Sequence, residues 1–290
     1  MPEIAVPGDV QGPETPGADE SRDTAAVNIL LLGADSGNLD ADSEISSIRQ
    51  VGRSDTMMWV HIPGNRQNIR VMSIMRDTWV PVPGYGDRKV NAAFALGGVP
   101  LAVRTVENMF QARIDHVVAV DMVGFRDLVN SLGGVTVNNP RTFTSGHQGG
   151  TTFEAGQITL TGEQALAFAR ERYAFNDGDY SRVANQQRLV KAIIDKALSR
   201  TTLSNPAGVQ ESINSFAPYL TFDSTLDSGR LFELGWSMRN VRGSDINVST
   251  VPTNGTGWAG DQSVVWPDWG SIRAIGRSIR TGDMSQAAGG

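Results

Sequence analysis

Three short apolar runs constrain this chain more than anything else in it. Residues 27–32 read VNILLL, residues 57–62 MMWVHI and residues 69–75 IRVMSIM. Each is short for a helix, rich in branched or bulky side chains, and bounded by turn-forming or charged residues, which is how buried strands read. The tight polar link at residues 63–68 (PGNRQN) makes the second and third runs a hairpin. In a hairpin the end of one strand lies beside the start of the other, so Arg76 comes near Asp55. If the first strand also lies antiparallel beside the second or third, or its following loop folds back, Asp35 arrives at the same edge. Three charged residues from distant positions then share one rim. The plainer alternative is three solvated strand-end side chains.

Downstream, helical and extended patterns alternate. Residues 91–110 read as two helical pieces separated by GGVP at 97–100, the second starting near Pro100, where proline suits a first turn. A strand over 117–120, a helix over 122–131 stopped by Gly133 and Gly134, and a short strand over 135–137 follow. Residues 141–150 read as a polar loop. Thr161 and Gln164 match a capping box opening an apolar helix through Phe168. A second helix starts near Ser181, with Val183, Leu189, Val190, Ile193 and Ile194 on its apolar face. Helices over 209–220 and 228–239 and a strand over 246–251 complete the pattern. Residues 258–275 hold Trp258, Trp266 and Trp269 in no pattern that names a chemistry.

The join between the two middle helices, residues 169–188, reads ARERYAFNDGDYSRVANQQR. Four arginines, two aspartates and two adjacent glutamines gather there without histidine or cysteine. Arginine presents a planar fork of donors matched to phosphate or carboxylate oxygens, and several together repel one another unless an anion or nearby acids compensate. A salt-bridge network with those acids is the alternative to a ligand. Arg170 and Arg172 would point about 200° apart on a regular helix, so both face one site only if the helix unwinds, a break that residues 176–179 supply. Arg182 and Gln186, four apart, share one face near the next helix's start, where free amides also favour an anion.

Composition then excludes several classes. Net charge is −6, but residues 1–23 carry six acids against one arginine, so the remainder is close to neutral and lacks the basic stripe of a nucleic-acid binder. The chain has no cysteine, which removes thiol catalysis and thiolate-bound zinc. No apolar run approaches the roughly 20 residues of a membrane span. There is no GxSxG, P-loop or HExxH, and His61, His116 and His147 are isolated. What remains positions and neutralises phosphates, often with a divalent cation on carboxylates.

The succession LLLGAD (30–35), GRSDTMMWV (52–60), MSIMRDTWV (72–80), KVNAAFALGG (89–98), LTGEQALAFARER (160–172) and GDYSRVANQQR (178–188) resembles the LytR-CpsA-Psr family over about residues 27–200, continuing to about 253. The resemblance implies a single α/β domain, a mixed central β-sheet covered by helices with an apolar lipid pocket. Residues 27–280 form that domain, 1–26 a disordered linker and 281–290 a disordered tail. It implies transfer of a glycopolymer from a polyprenyl-pyrophosphate carrier to peptidoglycan or a related wall polymer, with Mg²⁺ or Mn²⁺. It implies the extracytoplasmic face of the cell membrane, an N-terminal anchor not included in this chain, no nucleic-acid partner, and slow pyrophosphatase activity when water replaces the acceptor. A non-catalytic polyprenyl-phosphate-binding regulator of wall assembly is the alternative.

Position by position, the resemblance makes Asp35 and Asp55 metal ligands and Arg53, Arg76, Arg170, Arg172 and Arg182 pyrophosphate-binding residues. Arg76, Arg172 and Asp179 carry the catalytic roles, Asp179 orienting Arg182 or acting as a base. Lys89 and Asn91 match a KxN block, and Gln186 or Gln187 fills a glutamine position, helical spacing favouring Gln186. Asn185 stands where the family commonly has arginine, which implies one lost anion contact, and Met75 replaces a frequent proline. Asp40, Asp42 and Glu44 lie in the long loop after Asp35, where they compete as ligands or form a lid.

Overall fold

The computed structural model describes residues 25–34, 54–146, 150–175, 179–199 and 205–282, the side chains of Ser54 and Asp55 excepted. In chain order the first elements are β1 (Val27–Ala34), β2 (Ser54–Ile62), β3 (Ile69–Ile74), β4 (Trp79–Val82), β5 (Gly86–Lys89) and α1 (Asn91–Phe110). Then come β6 (His116–Asp121), α2 (Met122–Ser131), β7 (Val135–Asn139), β8 (Phe143–Thr144), β9 (Thr152–Phe153), β10 (Gly156–Leu160), α3 (Gly162–Arg170) and α4 (Asp179–Ala197). The chain ends through α5 (Pro206–Phe216), β11 (Thr221–Phe222), α6 (Ser228–Ser237), β12 (Ile246–Thr250), β13 (Thr253–Ala259), β14 (Gln262–Pro267) and α7 (Trp269–Thr281).

Six strands form the central sheet in the order β11-β6-β1-β2-β3-β12. It is mixed: β1 is antiparallel to β2 and β2 to β3, whereas β6 runs parallel to β1 and β12 parallel to β3. Both faces are covered, which is why residues 27–32 form a nearly unbroken apolar run rather than an alternating one. Leu30, Leu32, Met57, Trp59, Met72 and Ile74 pack on one face with α1 and α7 residues such as Phe94, Val106, Phe110 and Ile272. Trp59 and Phe110 meet with ring centroids 4.8 Å apart. Met58, Val71, Ile29 and Leu31 pack on the other face against Val190 and Ile194 of α4 and Leu234 of α6. A third cluster joins Val129, Phe143, Phe153, Phe168 and Leu189, tying α2, α3 and α4 to the strands β7 to β10.

The α1 segment is two helices in one, as its sequence suggests. Gly98 sits at φ 63, ψ −157, a region essentially closed to side-chain-bearing residues, and Pro100 follows in the first turn of the longer piece. Several details differ from the sequence reading. β1 continues through Gly33 to Ala34, and β4 with β5 forms a hairpin whose turn uses Gly84 and Gly86 at positive φ. The polar stretch 141–150 contains β8, which pairs with β9.

Candidate functional site

The hairpin arithmetic for the rim holds at the level of the backbone. Met57 pairs with Ile74, Gly33 with Thr56 and Ala34 with Ser54, so β1 ends, β2 begins and β3 ends at one edge of the sheet. Arg76 lies two residues beyond the end of β3 at that edge. The bulge between Gly33 and Ala34 brings strand backbones close, and a Cβ on Gly33 would lie 2.8 Å from that of Thr56. Asp35 and Arg53, with Asp40, Asp42 and Glu44, lie outside the described residues, as does the side chain of Asp55. In the chain Asp35 follows Ala34 and Asp55 precedes Thr56.

The capping box forms as its residues require. The Thr161 hydroxyl accepts from the Gln164 amide at 3.4 Å, and Gln164 Oε1 accepts from the Thr161 amide at 3.0 Å. At the other end α3 stops at Arg170, because Glu171 turns to extended geometry at φ −66, ψ 128. The unwinding that Arg170 and Arg172 require therefore comes before residues 176–179. Its cause is the Glu171 side chain, which is fully buried. Oε1 accepts from the amides of Tyr173 at 2.7 Å and Ala174 at 2.9 Å, and Oε2 from Ser145 Oγ and the Gly146 amide, both at 2.8 Å. Burial alone would raise the carboxyl's pKa, but the bonds from Ala174, Ser145, Gly146 and Tyr173 outweigh it and hold the group below the usual glutamate range.

The free carbonyls at the end of α3 are answered by α4. Asn185 Nδ2 donates to Phe168 O at 3.3 Å and Gln186 Nε2 to Ala169 O at 3.4 Å. Asn185 is buried and also accepts from Arg188 Nη1 at 2.9 Å. The residue read from sequence as a lost anion contact is thus a clasp between two helices.

Between the sheet, α2, α3 and α4 lies a cavity of about 270 Å³. Leu31, Val120, Met122, Phe125, Leu166, Leu189 and Val190 make much of it apolar; Arg76, Arg170, Arg172, Arg182 and Gln186 line it too. Five predicted residues from three separate stretches therefore share one wall. Arg182 is only 5% exposed, a guanidinium held inside the protein. Asp179 Oδ2 lies 3.2 Å from both Arg182 Nη2 and Arg76 Nε, and Arg76 Nε is also 3.4 Å from Asp77 Oδ2. Lys89 stands one layer behind, 3.0 Å from Asp77 Oδ1, and the buried Asn91 donates its amide to Arg76 O at 3.2 Å. Burial would raise Asp77, but Lys89 and Arg76 prevail and hold its carboxyl below the usual range.

Gln187 does not line the cavity. Its amide donates to Ser73 Oγ and Thr250 Oγ1, each at 3.0 Å, so of the two glutamines Gln186 faces the site. Sequence reasoning missed Tyr173 and Asp121 in the cavity wall and Glu171 behind it. Tyr173 is 72% exposed, and Arg172 stacks over its ring at 4.7 Å while donating to its hydroxyl at 3.0 Å. The only hint was an acid alternating with arginines where a helix had to end. Asp121 caps α2, accepting from the Gly124 amide at 2.6 Å. Four guanidiniums thus line a partly apolar cavity with one carboxylate, Asp121, while Asp179 and Asp77 pair with Arg76 and Arg182 beside it, an arrangement that suits an anionic ligand.

The model of the LytR_cpsA_psr family matches residues 9–272. A polyisoprenyl-teichoic acid–peptidoglycan teichoic acid transferase, TagU of Enterococcus faecalis, is 35% identical over 235 residues, covering 81% of this chain and 72% of the relative. The crystal structure of B. subtilis TagV superposes with a TM-score of 0.73 at 26% identity, covering 91% of this chain and 98% of that one. A structure described as TagT bound to LIIa-WTA gives 0.68 at 26% identity, over 91% and 92%.

Proposed function

Because the chain belongs to the LytR-CpsA-Psr family, we propose that it moves a glycopolymer from a polyprenyl-pyrophosphate carrier to a cell-wall acceptor such as peptidoglycan. The observation that carries this reading is the convergence of Arg76, Arg170, Arg172 and Arg182 on one cavity that is otherwise largely apolar. An anionic group attached to a hydrocarbon chain satisfies both halves of that lining. Pyrophosphate offers the guanidinium forks the oxygen acceptors that they match in geometry.

In the reaction, a hydroxyl oxygen of the acceptor attacks the phosphorus that bears the glycopolymer. The bond from that phosphorus to the bridging oxygen breaks, polyprenyl phosphate leaves, and the hydroxyl proton passes to a base or to solvent. Arg76, Arg172 and Arg182 stabilise charge on the phosphoryl oxygens, a task for fixed donors in a low-dielectric site. Asp179 holds Arg76 and Arg182 at a fixed spacing. The family resemblance assigns Mg²⁺, or Mn²⁺ in its place, to Asp35 and Asp55, which in sequence adjoin the cavity residues Ala34 and Thr56. When bound, such a cation would neutralise the phosphate oxygens further. Location outside the cytoplasmic membrane, through an N-terminal tether, belongs to the same proposal; no helix among the described residues is long and apolar enough to cross a membrane.

The test is release of polyprenyl phosphate from a synthetic polyprenyl-pyrophosphate oligosaccharide, followed by mass spectrometry with and without Mg²⁺. Loss of one fixed phosphate donor in Arg76→Ala is expected to lower the rate about 10²–10³-fold. Undiminished cleavage by a folded Arg76→Ala protein overturns the assignment.

A further inference from the structure

Two of the tryptophans that carried no message in the sequence, Trp266 and Trp269, come together in space with Trp79. A second, open groove of about 1300 Å³ is lined by Trp79 of β4, Trp266 of β14 and Trp269 of α7. Trp266 is 37% exposed, and its indole lies across Gly257, where a Cβ would come within 2.3 Å of Nε1. The ring thus has one face on the β13–β14 hairpin, an arrangement a side chain at 257 would forbid. Monomeric proteins seldom leave aromatic surface gathered this way without an occupant, and indoles are suited to sites with one apolar and one wet side.

The polar groups of the groove narrow the occupant. Gln111 Nε2 donates to Asn108 O at 2.8 Å and Asn254 Nδ2 to Pro267 O at 3.3 Å, which leaves their carboxamide oxygens as acceptors. The formal charges are one acid, Asp87, and one base, Arg273, so the groove is balanced. Aromatic platforms with carboxamides and no net charge match a pyranose chain, whose ring faces present C–H bonds and whose edges present hydroxyl and acetamido groups. A phosphate-bearing polymer would call for surplus cations.

The groove also adjoins the anion site. Trp79 is three residues beyond Arg76 and pairs with Lys89, the residue that neutralises Asp77. Val265, next to Trp266, donates its amide to Asp77 O at 2.9 Å. β4 then carries the groove away from Arg76 along its length. We infer that this groove binds the acceptor, a neutral glycan strand of N-acetylated sugars, and presents its hydroxyl to the cavity; the inference rests on the transferase reading above.

The experiment uses soluble N-acetylglucosamine tetramers, a neutral glucan tetramer and polyglycerol phosphate, titrated against tryptophan emission and followed by NMR. Saturable binding of the N-acetylated tetramer is expected, weakened tenfold or more in Trp266→Ala and in Asn108→Ala, an exposed helix position that also lines the groove. Binding should be unchanged in Trp258→Ala, whose 69% exposed ring lies outside the groove. Water-dependent cleavage of the pyrophosphate substrate should persist in Trp266→Ala. Equal binding by wild type, Trp266→Ala and Asn108→Ala, no binding at all, or preference for polyglycerol phosphate overturns the groove assignment. Glycan binding without cleavage of the pyrophosphate substrate by the wild type instead overturns the transferase reading.

Discussion

Arg76 Nε and Asp179 Oδ2 stand 3.2 Å apart across 103 residues of chain, joining the second residue beyond β3 to the first residue of α4. The same oxygen lies 3.2 Å from Arg182 Nη2, so one carboxylate holds two of the cavity's guanidiniums. Asp179→Asn keeps the shape but leaves two neighbouring guanidiniums without their shared anion. Turnover is expected to fall about 10²-fold, as for a lost transition-state donor, with KM changed much less. The pH dependence of the residual rate separates roles: a positioning residue leaves its shape intact, whereas loss of the acidic limb identifies Asp179 as the proton acceptor.

Glu171 fixes the bend that lets Arg170 and Arg172 reach one cavity. In Glu171→Gln, one carboxylate oxygen becomes an NH₂ facing two donors, either Tyr173 and Ala174 or Ser145 and Gly146. The loss is expected to be about 1–3 kcal/mol in urea unfolding, with activity falling further because Arg172 is no longer held. Full activity in a Glu171→Gln protein of lowered stability would show that Arg172 finds its place without this bend.

His61 makes acid stability testable. Asn28 Oδ1 can only accept, so His61 Nδ1 donates to it at 2.8 Å, and the buried Nε2 has no hydrogen-bond partner. Burial, then the nearby Arg70, lowers the His61 pKa to about 4 from 6.5. The folded state therefore resists a proton that the unfolded chain accepts. Its stabilising contribution is complete above pH 6.5 and is lost as pH falls towards 4, with about 2 kcal/mol gone at pH 5. Unfolding free energies at pH 7 and pH 5 should differ by that amount in the wild type and much less in His61→Gln.

The legible parts of this molecule are those whose signals are local. Strand period and a six-residue turn were enough to bring Arg76 to the β2 edge, and the Thr161–Gln164 box fixed where α3 begins. The end of α3 was misplaced because its cause, Glu171, is answered by Ser145 and Gly146 some 25 residues upstream, a pairing no periodicity records. The β4–β5 hairpin was missed because β5, GDRK, is exposed and carries no apolar alternation. The tryptophan groove needed residues from 79 to 273 to be assembled first. Asn185, a departure from the family pattern, has a role that the resemblance did not indicate, as a clasp between α3 and α4.

Gly276 sets how closely α7 lies on α1. A Cβ there would fall 1.7 Å from Phe110 O, and backbone cannot move aside as a flexible side chain would. Gly276→Ala is expected to destabilise by about 1–3 kcal/mol or more, since the contact is with the packed core around Ile272 and Phe110. Thermal unfolding measures it, and an unchanged midpoint would mean that α7 shifts freely.

The adjacent glutamines provide a test of site against scaffold. Gln186 lines the cavity, whereas Gln187 spans Ser73 and Thr250, which are themselves register partners of the parallel pair β3 and β12. Removing the Gln187 amide leaves two hydroxyls short of a donor where α4 crosses the sheet. Gln187→Ala is expected to lower stability by about 1–3 kcal/mol, at roughly 0.5–1.5 for each bond lost, with affinity for the pyrophosphate substrate retained in the folded fraction. Gln186→Ala should do the reverse, weakening substrate binding several-fold while giving up only a long 3.4 Å bond to Ala169 O. Unfolding curves paired with substrate titrations read both effects. An affinity loss confined to Gln187→Ala would place the wrong glutamine in the site.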